Sequence, residues 1–326
     1  MQNVDGNKTR IIHELVLTKK QEEKVEQMLQ ETRRESPKFY EEGMSKSFYV
    51  PVDDGEIRIF HIKPEKPVSV RPIVFIPGWG VIPRGFDDYY EVIHDKAECY
   101  YVETREKNSS KLNMKKARLD MSQKAKDISD AIKHLGLDKE DFVLVGTCWG
   151  SAIVLQGFID GTLKAPTTIV VDPMHTLWFP KWLLKYVAPL TPNFVVKLLK
   201  PILKRLQLRG MDEPVQRQRA IDFIDNADTR KWKKAAIAVK DFELFNTVHA
   251  IKDEIIVFNG TTDTIHEQKD YPKLAKLMPN GRFIFMKTDE SNRERLMAIA
   301  SLEFSKITKD VKIPSILAEF EKKLKR

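Results

Sequence analysis

The chain has 326 residues, of which 42% are hydrophobic and 31% charged, and this suits one large domain with insertions or two domains. Its two cysteines, Cys99 and Cys148, lack the spacing of a disulfide scaffold or a zinc site, so a reducing cytoplasm fits and neither metal nor cofactor is expected. The net charge of +8 has no nucleic-acid-binding motif behind it, residues 1–10 lack a signal-peptide core, and the absence of a run of about 18 apolar residues argues against a transmembrane helix.

The first part of the chain predicts a helix followed by a strand pair. Residues 18–44 are charged and helix-prone, so residues 1–46 are interpreted as an N-terminal helical extension of a main domain that spans 47–326. Residues 47–51 and 56–62 predict two strands around a glycine-containing turn. These strands would open the main domain as a hairpin.

A β-branched run at 73–76 predicts a buried strand, which ends in the sequence Pro-Gly-Trp-Gly at 77–80. Many α/β enzymes use such a loop to place a backbone N–H that stabilises an oxyanion. An ordinary exit from a strand is the alternative. Residues 99–104 predict the next strand, and 114–135 predict a helix that Gly136 ends.

The stretch from 142 to 159 predicts a strand, a sharp turn and a helix. Gly146 and Gly150 stand two residues before and two residues after Cys148, and this spacing is typical of a nucleophile elbow, whose flanking residues must be small. The central residue here is a cysteine, and the N-terminus of the following helix would stabilise its thiolate. A buried and inert cysteine between two glycines is the alternative interpretation.

The composition changes after a further buried strand at 167–171. Residues 176–211 contain seven Lys or Arg and no Asp or Glu, and prolines divide them into short apolar segments. We interpret 174–250 as an inserted helical cap, with His175 and Trp178 as candidate substrate-binding residues. Basic apolar helices suit an acyl chain, an anionic headgroup or a membrane interface, whereas a cap folded over its own core is the alternative.

The remainder predicts two strands, at 254–258 and 282–286, with helices at 271–278, 294–304 and 316–325. The segment from 217 to 244, which would complete the cap and return to the main sheet, is also predicted as helical.

The order of these parts resembles the α/β-hydrolase superfamily, and the elbow is similar to those of dienelactone hydrolases and polyhydroxyalkanoate synthases, which also carry a cysteine. The resemblance implies an α/β fold with a mostly parallel sheet flanked by helices and an inserted helical cap. It also implies Cys148 as nucleophile and Asp263 as the acid of a catalytic triad. The oxyanion N–H groups would belong to Trp149 and to Trp79 or Gly80.

The sequence departs from this family in the loop that follows the last strand. The family places its general base, a histidine, in that loop, but residues 287–292 contain none, and Glu290 or Asp289 takes its place. A carboxylate beside a thiol disfavours the thiolate, although a buried carboxylate with a raised pKa can act as a base. His266 and His175 are the remaining candidates for the base.

The sequence therefore predicts an acyl-transfer enzyme, an esterase, thioesterase or acyltransferase, that uses Cys148 on an acyl ester or thioester. The apolar cap would take the acyl chain, and its lysines would meet a carrier such as coenzyme A. The alternative is a catalytically inactive protein of the same fold that binds a lipid, an acyl ligand or a protein partner. We expect a cytoplasmic chain, with peripheral membrane contact through the cap left open and no nucleic-acid partner.

Overall fold

The computed structural model describes residues 15–324 apart from 178, 210, 212 and 262–267. The strands in this part of the chain are β1 (Lys46–Val52), β2 (Gly55–Ile62), β3 (Ile73–Ile76), β4 (Cys99–Val102), β5 (Lys111–Leu112), β6 (Val143–Thr147), β7 (Thr167–Val171), β8 (Ile255–Thr261) and β9 (Gly281–Thr288). They form one sheet in the order β1-β2-β4-β3-β6-β7-β8-β9, and β5 pairs with β2.

The helices of the same part are α1 (Lys19–Glu31), α2 (Asp87–Ile93), α3 (Met121–His134), α4 (Trp149–Ile159), α5 (Asn193–Gln207), α6 (Pro214–Asp225), α7 (Thr229–Ala238), α8 (Asp270–Leu277), α9 (Arg293–Ser305) and α10 (Ser315–Ala318). Helix α3 packs against α4, and α2 packs against α9. None of the helices described is long and apolar enough to cross a bilayer.

The sheet is mixed, with an antiparallel start and a parallel centre. Strands β1, β2 and β4 pair antiparallel, whereas β4, β3, β6, β7, β8 and β9 pair parallel in that order. All residues of β3 and β6 are buried, which is why these strands read as continuous apolar runs rather than as alternating ones. Because the central strands are parallel, the loops at their carboxyl ends lie along one edge, where open α/β sheets place their sites.

Helix α1 packs on the main core of the molecule. The Thr18 hydroxyl accepts a hydrogen bond from the backbone N–H of Gln21, and the Gln21 side chain accepts one from the backbone N–H of Thr18, so this capping box fixes the start of the helix. Val25, Met28 and Leu29 are buried in the same apolar cluster as the sheet. The division of the chain into an extension over 1–46, a main domain and a cap stays a prediction.

Local hydrogen bonds move two helix boundaries away from the sequence prediction. Helix α3 begins at 121 rather than 114 because Asp120 caps it, accepting from Gln123. The helical stretch 217–244 is two helices, since Asp228 caps a new start after Asp225.

The end of the chain also departs from the prediction of a helix over 316–325. Helix α10 stops at Ala318 because Phe320 and Lys322 then hydrogen-bond to the backbone of β9.

Candidate active site

Cys148 lies in the turn between β6 and α4 with a backbone conformation that non-glycine residues rarely adopt. Its φ is +52° and its ψ is −115°, and it shares positive φ with Asp54 and Asp172 among the non-glycine residues described. The Cys148 N–H donates to the carbonyl of Val171, at 2.9 Å, which ties the turn to the end of β7. Strain of this kind, held by surrounding contacts, is concentrated at functional sites.

The two glycines of the elbow are required by close backbone contacts. A Cβ on Gly146 would come within 2.8 Å of the Cα of Ser151, so this glycine lets α4 approach the end of β6. A Cβ on Gly150 would collide with the carbonyl of Ile76 and lie 2.6 Å from that of Pro77. The first turn of α4 therefore packs directly on the loop that follows β3.

The two thiols of the chain occupy different environments. Cys99 is buried in β4, and burial raises the pKa of its thiol well above the ordinary value. Cys148 is partly exposed and stands at the N-cap position of α4, where the partial positive charge of the helix terminus favours an anion. The structure therefore distinguishes one reachable thiol from one sequestered thiol.

The loop after β3 runs beside the elbow. A Cβ on Gly78 would lie 3.3 Å from the Cβ of Cys148, so the backbone preceding Trp79 passes next to the nucleophile position. The rings of Trp79 and Trp149 meet edge to face, with centroids 5.5 Å apart. The two residues predicted to supply oxyanion N–H groups thus flank Cys148, one on the loop and one at the start of α4.

A buried lysine holds the loop after β3 in place. The Lys107 ammonium donates to the carbonyls of Gly78, at 2.6 Å, and Val81, at 2.5 Å. Burial lowers the pKa of Lys107 to about 8, because removal from water penalises the charged form. Cys148 also interacts with Lys107 electrostatically and acts in the opposite direction, raising that pKa.

A second buried cation lies behind the two tryptophans. The Lys124 ammonium is 3.4 Å from a carboxylate oxygen of Glu106, and both side chains are inaccessible to solvent. It also sits over the ring of Trp79, 4.3 Å from the centroid, and 6.0 Å from that of Trp149. A buried ammonium that is paired with a carboxylate therefore lies beneath the rings that border Cys148.

Helices α6 and α7 pack on the same loop from outside. Gly80 has a φ of +63°, and a Cβ there would collide with the ring of Trp232 and approach Phe223 to 2.8 Å. Lys231 of α7 donates to the carbonyls of Lys107 and Ser110, at 2.8 and 2.6 Å, and to the Ser110 hydroxyl. These contacts connect α7, through residues 107–110, to the carbonyls beside the elbow.

His175 lies between two carboxylates. Its Nδ1 is 3.2 Å from Glu243, its Nε2 is 3.2 Å from Asp270, and its ring stacks on Phe245. Both ring nitrogens are thus engaged by acidic partners, and the described contacts of this histidine do not include Cys148. The roles of His175 as a substrate contact and as a candidate base stay predictions.

The loop after β9 uses one of its acids as a helix cap. Asp289 accepts from the backbone and side-chain amides of Asn292 and from the hydroxyl of Ser291, and these bonds lower the pKa of its carboxyl. Glu290 follows it and is half-buried, and its carbonyl accepts from Gln216 of α6 at 2.6 Å. The role of Glu290 as a base stays a prediction.

Three of the predicted site residues, Asp263, His266 and Trp178, lie outside the residues that the structure describes. The first two fall in the segment that follows β8, and Trp178 falls near the start of the predicted cap. Their assignment as acid, base and substrate contact stays a prediction.

Sequence reasoning missed the buried lysines of the site. Lys124 carried a signal, because it stands on the apolar side of α3, one turn before Ile128 and beside Ala125. A charged residue in that position indicates a buried partner. Lys107 and Lys231 lie in a polar loop and in a basic helix, where nothing in the local pattern separates them from solvated lysines.

A cavity of about 300 Å³ borders the loop after β3 at Gly80. Arg58, Glu103, Asn108 and Trp232 contribute to its walls, and Cys148 does not. Its lining is divided between polar groups and apolar ones such as Ile82 and Pro83.

Known structures resemble this chain, although no protein-family model and no curated protein matches its sequence. An esterase from Exiguobacterium antarcticum has a TM-score of 0.63 at 15% identity, over 80% of this chain and 100% of its own. A hydrolase from Pseudomonas aeruginosa PA01 has a TM-score of 0.61 at 12% identity, over 80% and 99%. The enol-lactonase from Burkholderia xenovorans LB400 has a TM-score of 0.58 at 15% identity, over 79% and 97%.

These likenesses, together with the order and direction of the strands, identify the architecture. The chain has the α/β-hydrolase fold, with a mostly parallel sheet flanked by helices, and the predicted fold class is confirmed.

Proposed function

Starting from this fold and its elbow, we propose that the protein is an enzyme that cleaves or transfers acyl groups of esters or thioesters, with Cys148 as nucleophile. The observation that carries the proposal is the strained backbone of Cys148 at the N-terminus of α4. A cysteine that served only as apolar filling would not need a positive φ, which costs a non-glycine residue about 1–3 kcal/mol. The esterase and the lactonase among the structural neighbours support ester cleavage as the reaction class.

In the proposed reaction, the Cys148 sulfur attacks the carbonyl carbon of the substrate and forms a carbon–sulfur bond. The carbonyl π electrons move to oxygen, and the backbone N–H groups of Trp79 and Trp149 stabilise the resulting oxyanion. When the carbonyl re-forms, the bond to the alkoxide or thiolate leaving group breaks, and that group receives the proton given up by the thiol. Water or an acceptor alcohol then releases the acyl group.

The buried Lys107 lies close to the proposed nucleophile. Its ammonium donates to the carbonyl of Gly78, a residue whose Cβ, if it had one, would lie 3.3 Å from the Cβ of Cys148, and the electrostatic interaction with Cys148 raises the pKa of Lys107. Asp263, His266 and Glu290 stay the candidates for the groups that move the proton.

The coenzyme A-linked form of the substrate is a narrower proposal. It is supported by the basic residues of 176–211, which would meet phosphate groups, and by the near-balanced exchange between a thiol and a thioester.

The proposed function is tested by measuring intact mass after incubation with activated acyl esters and acyl-coenzyme A thioesters. The parent is expected to gain the mass of one acyl group, and Cys148→Ala is expected to gain none. Cys99→Ala is the matched control, because its thiol is buried, and it should acylate as the parent does.

A different result would support the second candidate function, a catalytically inactive protein that binds a lipid, an acyl ligand or a protein. The loop after β9 favours that candidate, because residues 287–292 contain no histidine. An absence of adduct and of turnover across the panel, in a folded parent, would contradict the enzyme proposal.

A further inference from the structure

Helix α5 has its apolar side turned outward. The side chains of this outward apolar face are exposed by 41–71%: Phe194, Leu198, Leu199, Ile202, Leu203 and Leu206. None of the fifteen residues of α5 is buried. An amphipathic helix of a soluble domain normally turns this face toward the core, so the orientation of α5 is reversed.

The basic side of α5 attaches the helix to the protein. Lys204 lies 2.7 Å from both carboxylate oxygens of Asp225, the last residue of α6. Lys200 donates to the carbonyls of Asp225 and Ala227, at 3.3 and 2.7 Å, where the negative end of the α6 dipole lies. These two lysines are less exposed than Leu198 and Ile202 of the same helix. The polar contacts therefore fix the apolar face toward solvent.

The segment that precedes α5 in the chain also exposes large apolar side chains. Trp182 and Tyr186 stand one helical turn apart and are 62% and 61% exposed, and Leu190 is 84% exposed. Tryptophan and tyrosine are enriched where apolar and aqueous phases meet, because their rings are apolar and carry a polar edge. So many exposed large apolar side chains in one segment of the chain indicate an interaction site.

Positive charge surrounds this surface. Lys181, Lys185, Lys197, Arg205 and Arg209 are all exposed, and residues 176–211 contain no acidic residue. Two copies of the surface placed face to face would bring like charges together, which disfavours self-association. A flat apolar partner with anionic groups at its margin would complement both the exposed leucines and these five basic residues, which we term the basic rim.

We infer that the outward apolar face, with Trp182 and Tyr186, docks on a lipid bilayer that carries anionic headgroups. The leucines enter the boundary between headgroups and acyl chains, and the basic rim meets the headgroup phosphates. This docking is independent of the acyl-transfer proposal, because it uses no residue of the elbow.

The test is flotation of the full chain with vesicles of neutral phosphatidylcholine and with vesicles that contain phosphatidylglycerol. The parent is expected to float with the anionic vesicles, less with the neutral ones, and less at 0.5 M salt, which screens the rim. The triple variant Leu198→Glu, Ile202→Glu, Leu206→Glu should bind the anionic vesicles at least about 100-fold more weakly, because it places three carboxylates in the face.

Val68→Glu, Val70→Glu is the matched control, because these exposed valines precede β3 and lie outside the proposed surface. It should bind vesicles as the parent does. Circular dichroism of both variants checks that the fold is kept, and the expectation that it is kept follows from the exposure of all five positions. Equal binding of the triple variant and the parent would overturn the inference, and so would a parent that dimerises in sedimentation analysis but does not float.

Discussion

Cys148 keeps its strained backbone because the residues around it leave no room to relax. Its N–H is tied to Val171, and the glycines on either side sit against backbone atoms of α4 and of the loop after β3. The elbow is therefore a close three-way contact of backbone segments rather than a product of local propensity. A side chain added at this contact would push apart the parts that place the thiol beside Trp79.

Gly150→Ala tests this contact. The new methyl group would meet the carbonyls of Ile76 and Pro77, which are backbone atoms and do not rotate away, so we expect a loss of about 2–3 kcal/mol in unfolding free energy. Gly161→Ala is the control, since it has open space around it and bears only the cost of a positive φ, about 1–2 kcal/mol. Urea unfolding compares the two, and a Gly150→Ala variant no less stable than the control would show that the loop yields.

At the scale of elements, α7 acts as a brace for the loop after β3. Its Lys231 bonds to residues 107–110, and Lys107 in turn bonds to Gly78 and Val81. Helix α6 is fixed as well, because Arg219 pairs with Asp88 and Glu294. Helices α6 and α7 are thus bound to α2, to α9 and to residues 107–110 through largely buried polar groups.

Lys231→Met is expected to loosen this brace. The variant leaves the carbonyls of Lys107 and Ser110 without their donor, so we expect a loss of about 2 kcal/mol in unfolding free energy. Hydrogen exchange at 107–110 should become faster, and exchange in β6 should stay unchanged. Arg230→Met, at an exposed position on the same helix, serves as control, and equal exchange in both variants would contradict the brace.

The elements that the sequence predicted correctly are those with a strong local pattern of residues. The strands β3, β6 and β7 appeared as apolar runs, and the elbow appeared through the spacing of Gly146 and Gly150 around Cys148. The end of the chain was mispredicted, because the residues after Ala318 bond to β9, a contact between segments far apart in sequence.

For the candidate site, the sequence indicated which loops meet at the elbow but not which charged side chains are buried beneath it. The loop that holds Trp79 and the start of α4 at Trp149 meet beside Cys148, since the loops at the carboxyl ends of parallel strands lie along one edge, and the role of both residues in an oxyanion hole stays a prediction. The lysines beneath them were not predicted, because burial of a charge depends on partners such as Glu106 that the local sequence does not reveal.

For the whole molecule, the buried Lys107 makes stability depend on pH in a defined direction. Its pKa is about 8 in the folded chain and about 10.5 in the unfolded chain, so burial of its charge costs stability below pH 8. Between pH 8 and 10.5 the folded chain has released this proton and the unfolded chain still holds it. The cost, at most about 3 kcal/mol, therefore disappears as pH rises through this window.

Lys107→Met removes the titrating group and should reveal this dependence. The unfolding free energy of the parent minus that of the variant is expected to increase from pH 8 to 10.5, as measured by urea unfolding at closely spaced pH values. For Lys139→Met, at an exposed position, the corresponding difference should stay level. A level difference for Lys107→Met would mean that this lysine keeps its proton throughout the range.

Helix α5 buries none of its residues, so folding places few constraints on its sequence. Substitutions at the most exposed positions of its outward face, such as Leu198, change few packed contacts, so natural variation there would be selected by what the face binds rather than by whether the chain folds. Lys200 and Lys204, which hold the helix to α6, are the exception. The exposed face of the helix can therefore change between related proteins and bind different surfaces. The elbow and α7 do not have to change with it.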